Sequence, residues 1–317
     1  MFSRRTFIKS CCMGSLSFLF GCKKKQNPPG ENPYKYDIGQ FRKIDKELIL
    51  YKEKPSIAVD AEQIRGLAIS NDDYLFVIAD KKVFIYDSFK NLHHNFSVDE
   101  TATCLAVGDS KKIYIGVKDH IEIFNQKGEQ IDKRAVLSEN AQITAIAVNK
   151  EHVAVADYGN KQLWLFNKEG KLLRFMGNKR YSEDKQGFVL PSPFFDVDFD
   201  KNGDLWANNT GRLRLEQFSI EGVLKSTWGR PSMDIAGFPG CCNPIHFAIL
   251  PNGDFVTAQK GIILIKLYDH TGRFKGIVAG EDLFQKGATD LKLEVDSQGD
   301  IYVIDSIKKR IRVFTLK

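Results

Sequence analysis

The feature that most constrains this 317-residue chain is an internal repeat. One phrase returns six times: a short apolar alternation, a turn, a second apolar alternation ending in a polar tip, and a third strand. Its recurrent apolar position is Leu67, Leu105, Ile146, Val197, Phe247 and Leu293, at separations of 38, 41, 51, 50 and 46 residues. A repeat of roughly 40–50 residues built from short strands has the period of a four-stranded propeller blade. Turn residues fall where strands must reverse. Asp200-Lys201-Asn202-Gly203, Pro251-Asn252-Gly253 and Ser297-Gln298-Gly299 join first strands to second, and Lys127-Gly128, Glu169-Gly170, Glu221-Gly222 and Thr271-Gly272 follow third strands. The 23 Phe and 10 Tyr suit strands better than helices. The sequence therefore predicts an all-β chain: a six-bladed β-propeller of four-stranded antiparallel blades. Lys317 directly follows the third strand of blade six, so an outer strand must come from elsewhere to close the ring. The strand-like Glu47-Leu48-Ile49-Leu50-Tyr51 is expected to supply it, as an N-terminal strand completing the last blade.

Across residues 64–316 these phrases resemble NHL repeats, the six-bladed propeller family. The resemblance is clearest in the sixth phrase, Asp300-Ile301-Tyr302-Val303-Ile304-Asp305 followed by Ile311-Arg312-Val313-Phe314, and in the third. The second departs from it, with Val117-Lys118 where a polar tip belongs. Fold resemblance does not fix function. Some NHL-like enzymes are zinc lyases with converging channel histidines. Of His93, His94, His120, His152, His246 and His270, only His246 falls near the expected rim. Related six-bladed lactonases hold a divalent ion through Glu, Asn and Asp. Asn209, Asp157 and Asp305 could supply such oxygens, but the rim loops offer no obvious Glu. No cofactor is implied, and a divalent metal is left open.

The amino terminus reads as an address. Ser3-Arg4-Arg5-Thr6-Phe7-Ile8-Lys9 resembles a twin-arginine export signal, and Leu19-Phe20-Gly21-Cys22 resembles a lipoprotein cleavage box. The apolar run between them is too short to span a bilayer. The resemblance implies residues 1–22 as signal and Cys22 as the lipidated first residue of the mature protein. It also implies a flexible tether over 23–40, a propeller over 41–317, and an exported, membrane-anchored protein in the cell envelope, facing the periplasm or the exterior. Arg4, Arg5 and Lys9 supply three of the positive charges behind a formal net charge of +6. The remainder forms no basic stripe with interleaved aromatics, which excludes a nucleic-acid footprint.

Strand direction sorts the candidate site. In a meandering blade, the loops entering inner strands share one face with the loops joining second strands to third. The entering loops carry Arg65, Thr144, Asp196, the segment Cys241-Cys242-Asn243-Pro244-Ile245-His246, and Thr289-Asp290. The second-strand tips carry Asp80, Asp157, Asn208-Asn209, Gln259-Lys260 and Asp305, with Arg212 just beyond the fourth. Polar groups converging at a concave rim make the default binding-site hypothesis. The competing reading is that each Asp or Asn tip holds turn backbone. The two longest connections, 176–193 and 229–244, lead onto the same rim. The second is the more unusual in composition and the stronger functional candidate.

Cys241-Cys242 has no counterpart in the other phrases. Three readings compete: a strained vicinal disulfide acting as a rigid plate for a ligand, two packed thiols, and a redox or soft-metal site with His246 as third ligand. The first ranks highest, because adjacent residues usually diverge and established metal sites use wider cysteine spacing. No nucleophile elbow, zinc-protease helix, phosphate loop or spaced Cys pair occurs. The expected function is ligand or protein binding, or scaffolding, at one channel mouth. A metal-dependent hydrolase or lyase at that mouth is the alternative, and a redox role of the cysteine pair a third.

Overall fold

The computed structural model describes residues 39–134, 137–177, 187–285 and 287–317. The signal expectation, Cys22 included, residues 23–38 of the expected tether and residues 178–186 lie outside them, while the last two tether residues, Gly39 and Gln40, open a 3-10 turn. Gly39–Lys317 forms one compact unit. It contains six four-stranded antiparallel sheets. From the inner strand outwards, blade one is Ile64–Ile69, Leu75–Ala79, Lys82–Tyr86 and Leu92–Ser97, and blade two is Cys104–Val107, Ile113–Val117, His120–Phe124 and Gln130–Arg134. Blade three is Ile143–Val148, His152–Asp157, Gln162–Asn167 and Leu172–Met176, and blade four is Val197–Phe199, Leu205–Asn209, Arg214–Phe218 and Leu224–Trp228. Blade five is His246–Ile249, Phe255–Gln259, Leu264–Tyr268 and Phe274–Gly280. Blade six has Leu293–Val295, Ile301–Asp305 and Arg310–Leu316, with Tyr51–Ala58 as its outer strand. Among the described residues the only helices are 3-10 turns, Gly39–Arg42, Lys46–Leu48 and Glu281–Leu283.

Burial explains the alternation read in the sequence. Every second strand is buried almost throughout, because both of its faces meet a neighbouring blade. The apolar residues gather into six clusters, each lying between two consecutive blades and one of them between blades six and one. The cluster between blades four and five is the aromatic one, holding Trp206, Trp228, Phe238, Phe247, Phe255 and Tyr268. Gly272 shows how tight the hairpins are. It takes φ 82°, and a Cβ there would come within 2.5 Å of the Trp228 side chain.

Closure follows the expected topology but with different strand bounds. The outer strand of blade six starts at Tyr51, paired with Leu316, and runs to Ala58, paired with Arg310. Glu47 and Leu48 lie instead in a 3-10 turn whose first residues are capped by Asp45, which accepts the Glu47 N–H at 3.0 Å. The register shifts between Lys54 and Ile57, where Pro55 cannot donate to the ladder. Proline is tolerated there because the strand is outermost.

Candidate functional site

The six inner strands surround a central cavity of about 170 Å³. Its wall is uneven. The two positions flanking the recurrent apolar residue are Gly66 and Ala68, Cys104 and Ala106, and Ala145 and Ala147 in blades one to three. In blades four to six they are Asp196 and Asp198, His246 and Ala248, and Lys292 and Glu294. One half of the channel is therefore lined by small groups and the other half by charged ones. At its mouth is a wider hollow of about 340 Å³ bordered by Arg65, Thr103, Thr144, Phe194, His246, Asp290 and Lys292.

Polar side chains stitch the mouth from blade to blade. The Thr103 hydroxyl donates to the Ile143 carbonyl at 2.8 Å, and the Thr144 hydroxyl donates to the Phe195 carbonyl at 2.6 Å. His246 Nδ1 donates to Asp196 Oδ2 at 3.1 Å, and the Lys292 ammonium donates to the Thr103 carbonyl at 2.7 Å. With Nδ1–H held by a carboxylate, the neutral His246 ring presents a bare Nε2. That atom is buried without a hydrogen-bond partner and lies 3.8 Å from Asp290 Oδ1. The ring itself is only 5% exposed.

The carboxylates are under strain of like charge. Asp198 and Glu294 touch the cavity but are walled in by protein. Desolvation, with Asp196 adding repulsion, pushes the Asp198 carboxyl up to about 7, against a donated Phe199 N–H at 2.8 Å. Desolvation also raises Glu294 well above the ordinary range, helped by the charges of Asp198 and Asp196 and opposed by Lys292. Three carboxyl groups thus share a confined space with one ammonium, which donates to the Thr103 carbonyl. The arrangement can accept protons or a cation, and His246 Nε2 can accept a proton or a ligand's donor.

Of the twelve rim residues singled out in the sequence, Arg65 and His246 border this hollow. The strand tips are engaged elsewhere. Asp80 accepts the Glu62 and Gln63 N–H groups, and Asp157 accepts from Gln142 N, Asn160 N and the Trp164 indole. Asn209 accepts Val189 N–H and donates to Glu216, while Asp305 accepts Lys308 N–H and the Arg312 guanidinium. Gln259 donates to the Ile262 carbonyl, and Arg212 reaches the Gly187 carbonyl at 3.4 Å. These bonds fit the turn-holding reading of the tips. Asn208, beside them, has the longest reach. Its carbonyl oxygen accepts Asp196 N–H at 2.7 Å and its amide donates to the Pro244 and Ile245 carbonyls, fixing the chain at Asp196 and just before His246.

Cys241 and Cys242 are free thiols with sulfurs 3.3 Å apart, so the expected disulfide is not formed. The two thiols lie in contact, Cys242 buried and Cys241 exposed to solvent. Asn243 bonds the Pro239 and Lys260 backbone, and the Lys260 ammonium lies 4.5 Å over the Phe194 ring. Phe194 in turn meets His246 edge-on at 6.0 Å. Segment 229–244 is anchored by Phe238, fully buried between blades four and five, and by Lys266. The buried Lys266 ammonium donates to the Ile235 and Gly237 carbonyls at 3.2 and 2.6 Å and lies over the Phe238 and Tyr268 rings. Lys266, Asp198, Lys292 and Glu294 were not singled out from the sequence, although a charge inside an apolar strand phrase marks each of them.

No family model matches the chain, and no curated protein matches it. Solved structures do. A structural-genomics protein of unknown function from Bacteroides thetaiotaomicron is 14% identical, covering 84% of this chain and 72% of that one, with a TM-score of 0.61. The streptogramin B lyase structure is 11% identical over 86% of this chain and all of its own, with a TM-score of 0.56. The WD40 propeller domain of Doa1 is 14% identical over 84% and 97%, also at 0.56. At such identities the likeness is one of fold, and the chain is a six-bladed β-propeller whose structural neighbours include both a lyase and a WD40 domain.

Proposed function

We propose that this protein is an exported, lipid-anchored propeller of NHL-like type that binds a cationic ligand, such as an amine or guanidinium group, at its channel mouth. Export and anchoring at Cys22 rest on the two leader motifs alone. The binding reading rests on one observation: Asp196, Asp198 and Glu294 line one confined cavity together with His246, with like-charge repulsion that a cation relieves. An extended organic cation suits this wall better than a single metal ion. Among the described residues only Glu100, His120 and Glu122, outside the channel, bring three ligating atoms within 4.8 Å of one another.

The test is thermal melting at pH 8 with 1,5-diaminopentane as probe. The diamine is expected to raise the melting temperature of the wild type, and far less that of an Asp198→Asn/Glu294→Gln double variant. An equal response in both proteins, or an equal response to a neutral diol, rejects the reading. A second reading, hydrolase or lyase chemistry, draws on the His246–Asp196 pair beside a carboxyl near neutrality, the elements of general acid–base catalysis. It requires turnover that His246→Gln abolishes.

A further inference from the structure

We infer that Glu100, His120 and Glu122 form a metal site for Zn²⁺ at the rim of blade two, separate from the channel. In each blade, one third-strand residue pairs with the second-strand residue that faces the recurrent apolar position. It is Trp164 in blade three, Glu216 in four, Lys266 in five and Arg312 in six. Each of these four is buried and has a polar partner from the strand tip or an adjoining loop. In blade two the same position is Glu122, buried at 4% exposure, and its tip is the apolar Val117. Among the described residues a partner from the strand tip or an adjoining loop is missing here, and the only cation at Glu122 is the Lys133 ammonium of the outer strand; a buried carboxylate needs a cation.

His120 supplies the second observation. It is 6% exposed, and Asp119 Oδ1 accepts its Nδ1–H at 3.0 Å. The tautomer that results turns the Nε2 lone pair inward. Nε2 is buried without a hydrogen-bond partner, 3.5 Å from Glu122 Oε1 and 3.9 Å from Glu100 Oε1. A lone pair facing two carboxylate oxygens is repulsive unless a positive ion lies among them. Zinc bonds of ~2.0–2.2 Å to nitrogen and carboxylate oxygen place ligands at tetrahedral separations of roughly 3.3–3.6 Å. The observed edges need only a small closure by Glu100, whose side chain is half exposed. Asp119 then acts as the carboxylate that orients a metal-bound imidazole.

A competitor is already present. The Lys133 ammonium lies 3.1 Å from Glu122 Oε1 and 3.6 Å from Glu100 Oε1. Its side chain is about half exposed, on an outer strand, so it can swing into solvent when zinc enters. Bound zinc joins the connection between blades one and two to the third strand of blade two.

The full-length chain, stripped with chelator, is titrated with ZnCl₂ by calorimetry and by thermal melting. One equivalent is expected to bind and to raise the melting temperature. His120→Gln is expected to abolish this, and Asp119→Asn to weaken it about 10- to 100-fold. Glu100→Gln, on an exposed side chain that leaves the core untouched, is expected to weaken it at least as much, and Lys133→Met to tighten it. Zinc binding is expected to be the same in His246→Gln, a substitution in the channel site, which separates the two sites. Absence of zinc binding, or binding that survives His120→Gln and Glu100→Gln, or binding lost in His246→Gln, overturns the assignment.

Discussion

At the scale of single residues, Asp198 carries the clearest consequence of the channel's composition. Its folded carboxyl titrates near 7, against an ordinary 3.8. The folded state therefore holds a proton that the unfolded chain releases between about pH 4 and 7. A group raised in this way favours folding below its unfolded value, and that contribution is lost as pH climbs through 7. The full displacement is worth about 4 kcal/mol, and solvent access through the channel reduces it. Asp198→Asn keeps the side-chain oxygen that accepts Phe199 N–H and removes the charge. Relative to the wild type it is expected to gain about 1–2 kcal/mol between pH 5 and 8, with little difference at pH 4. Denaturant melts at the three pH values check this, and a pH-independent difference counts against it. Glu294 should titrate lower in the variant, since Asp198 is one source of its repulsion.

At the scale of elements, the strand and loop that meet at Lys266 show what each kind of order depends on. Burial pushes the Lys266 amine down to about 7, so the charge is costly there. Two carbonyl acceptors and two ring faces offset that cost, and the carbonyls and the Phe238 ring belong to the segment that Lys266 pins. Lys266→Met removes both the charge and the anchor. Global stability is expected to move by no more than about 1–2 kcal/mol, while residues 230–240 keep Phe238 and the Tyr268 hydroxyl bond to Ala236 but lose their charged tie to the blade. Hydrogen exchange should quicken in that segment and not in blade two, and unchanged exchange there contradicts the anchoring role. The same element explains what the sequence made legible. Blade number, strand order and turns follow from alternation and turn chemistry, which are local. The polar tips were legible as a recurring position, but their bonds to neighbouring loops depend on register between strands far apart in sequence. The charged wall of the channel was written in the phrases Phe195-Asp196-Val197-Asp198 and Lys292-Leu293-Glu294. It becomes visible only when the six phrases are aligned by position and compared across the ring. Cys241-Cys242 drew notice for its rarity, whereas its neighbours owe their order to Phe238 and Lys266.

At the scale of the whole molecule, closure decides whether the blades act as one body. The seam between the N-terminal strand and blade six is more than a ladder of backbone bonds. Arg312, 2% exposed, binds Asp305 within its blade and Glu53 on the closing strand at 2.6 Å, while Lys54 pairs with Asp300. Lys317 N–H donates to the Leu50 carbonyl at 3.0 Å, and Tyr51 and Phe314 share a core cluster with blade five. Removing the closing strand leaves Arg312 without Glu53, exposes the edge of Arg310–Leu316, and opens the cluster between blades five and six. The loss is expected to exceed about 5 kcal/mol, comparable to the stability of an ordinary domain. A chain beginning at Gly39 is therefore expected to melt in one calorimetric transition, at the temperature of the full-length protein. A chain beginning at Val59 is expected to aggregate or to melt without cooperativity, because an unpaired strand edge invites association. Calorimetry and size-exclusion chromatography on the two truncations check this. A cooperative, monomeric melt from the shorter chain would show that the six interblade clusters hold the ring closed without the strand.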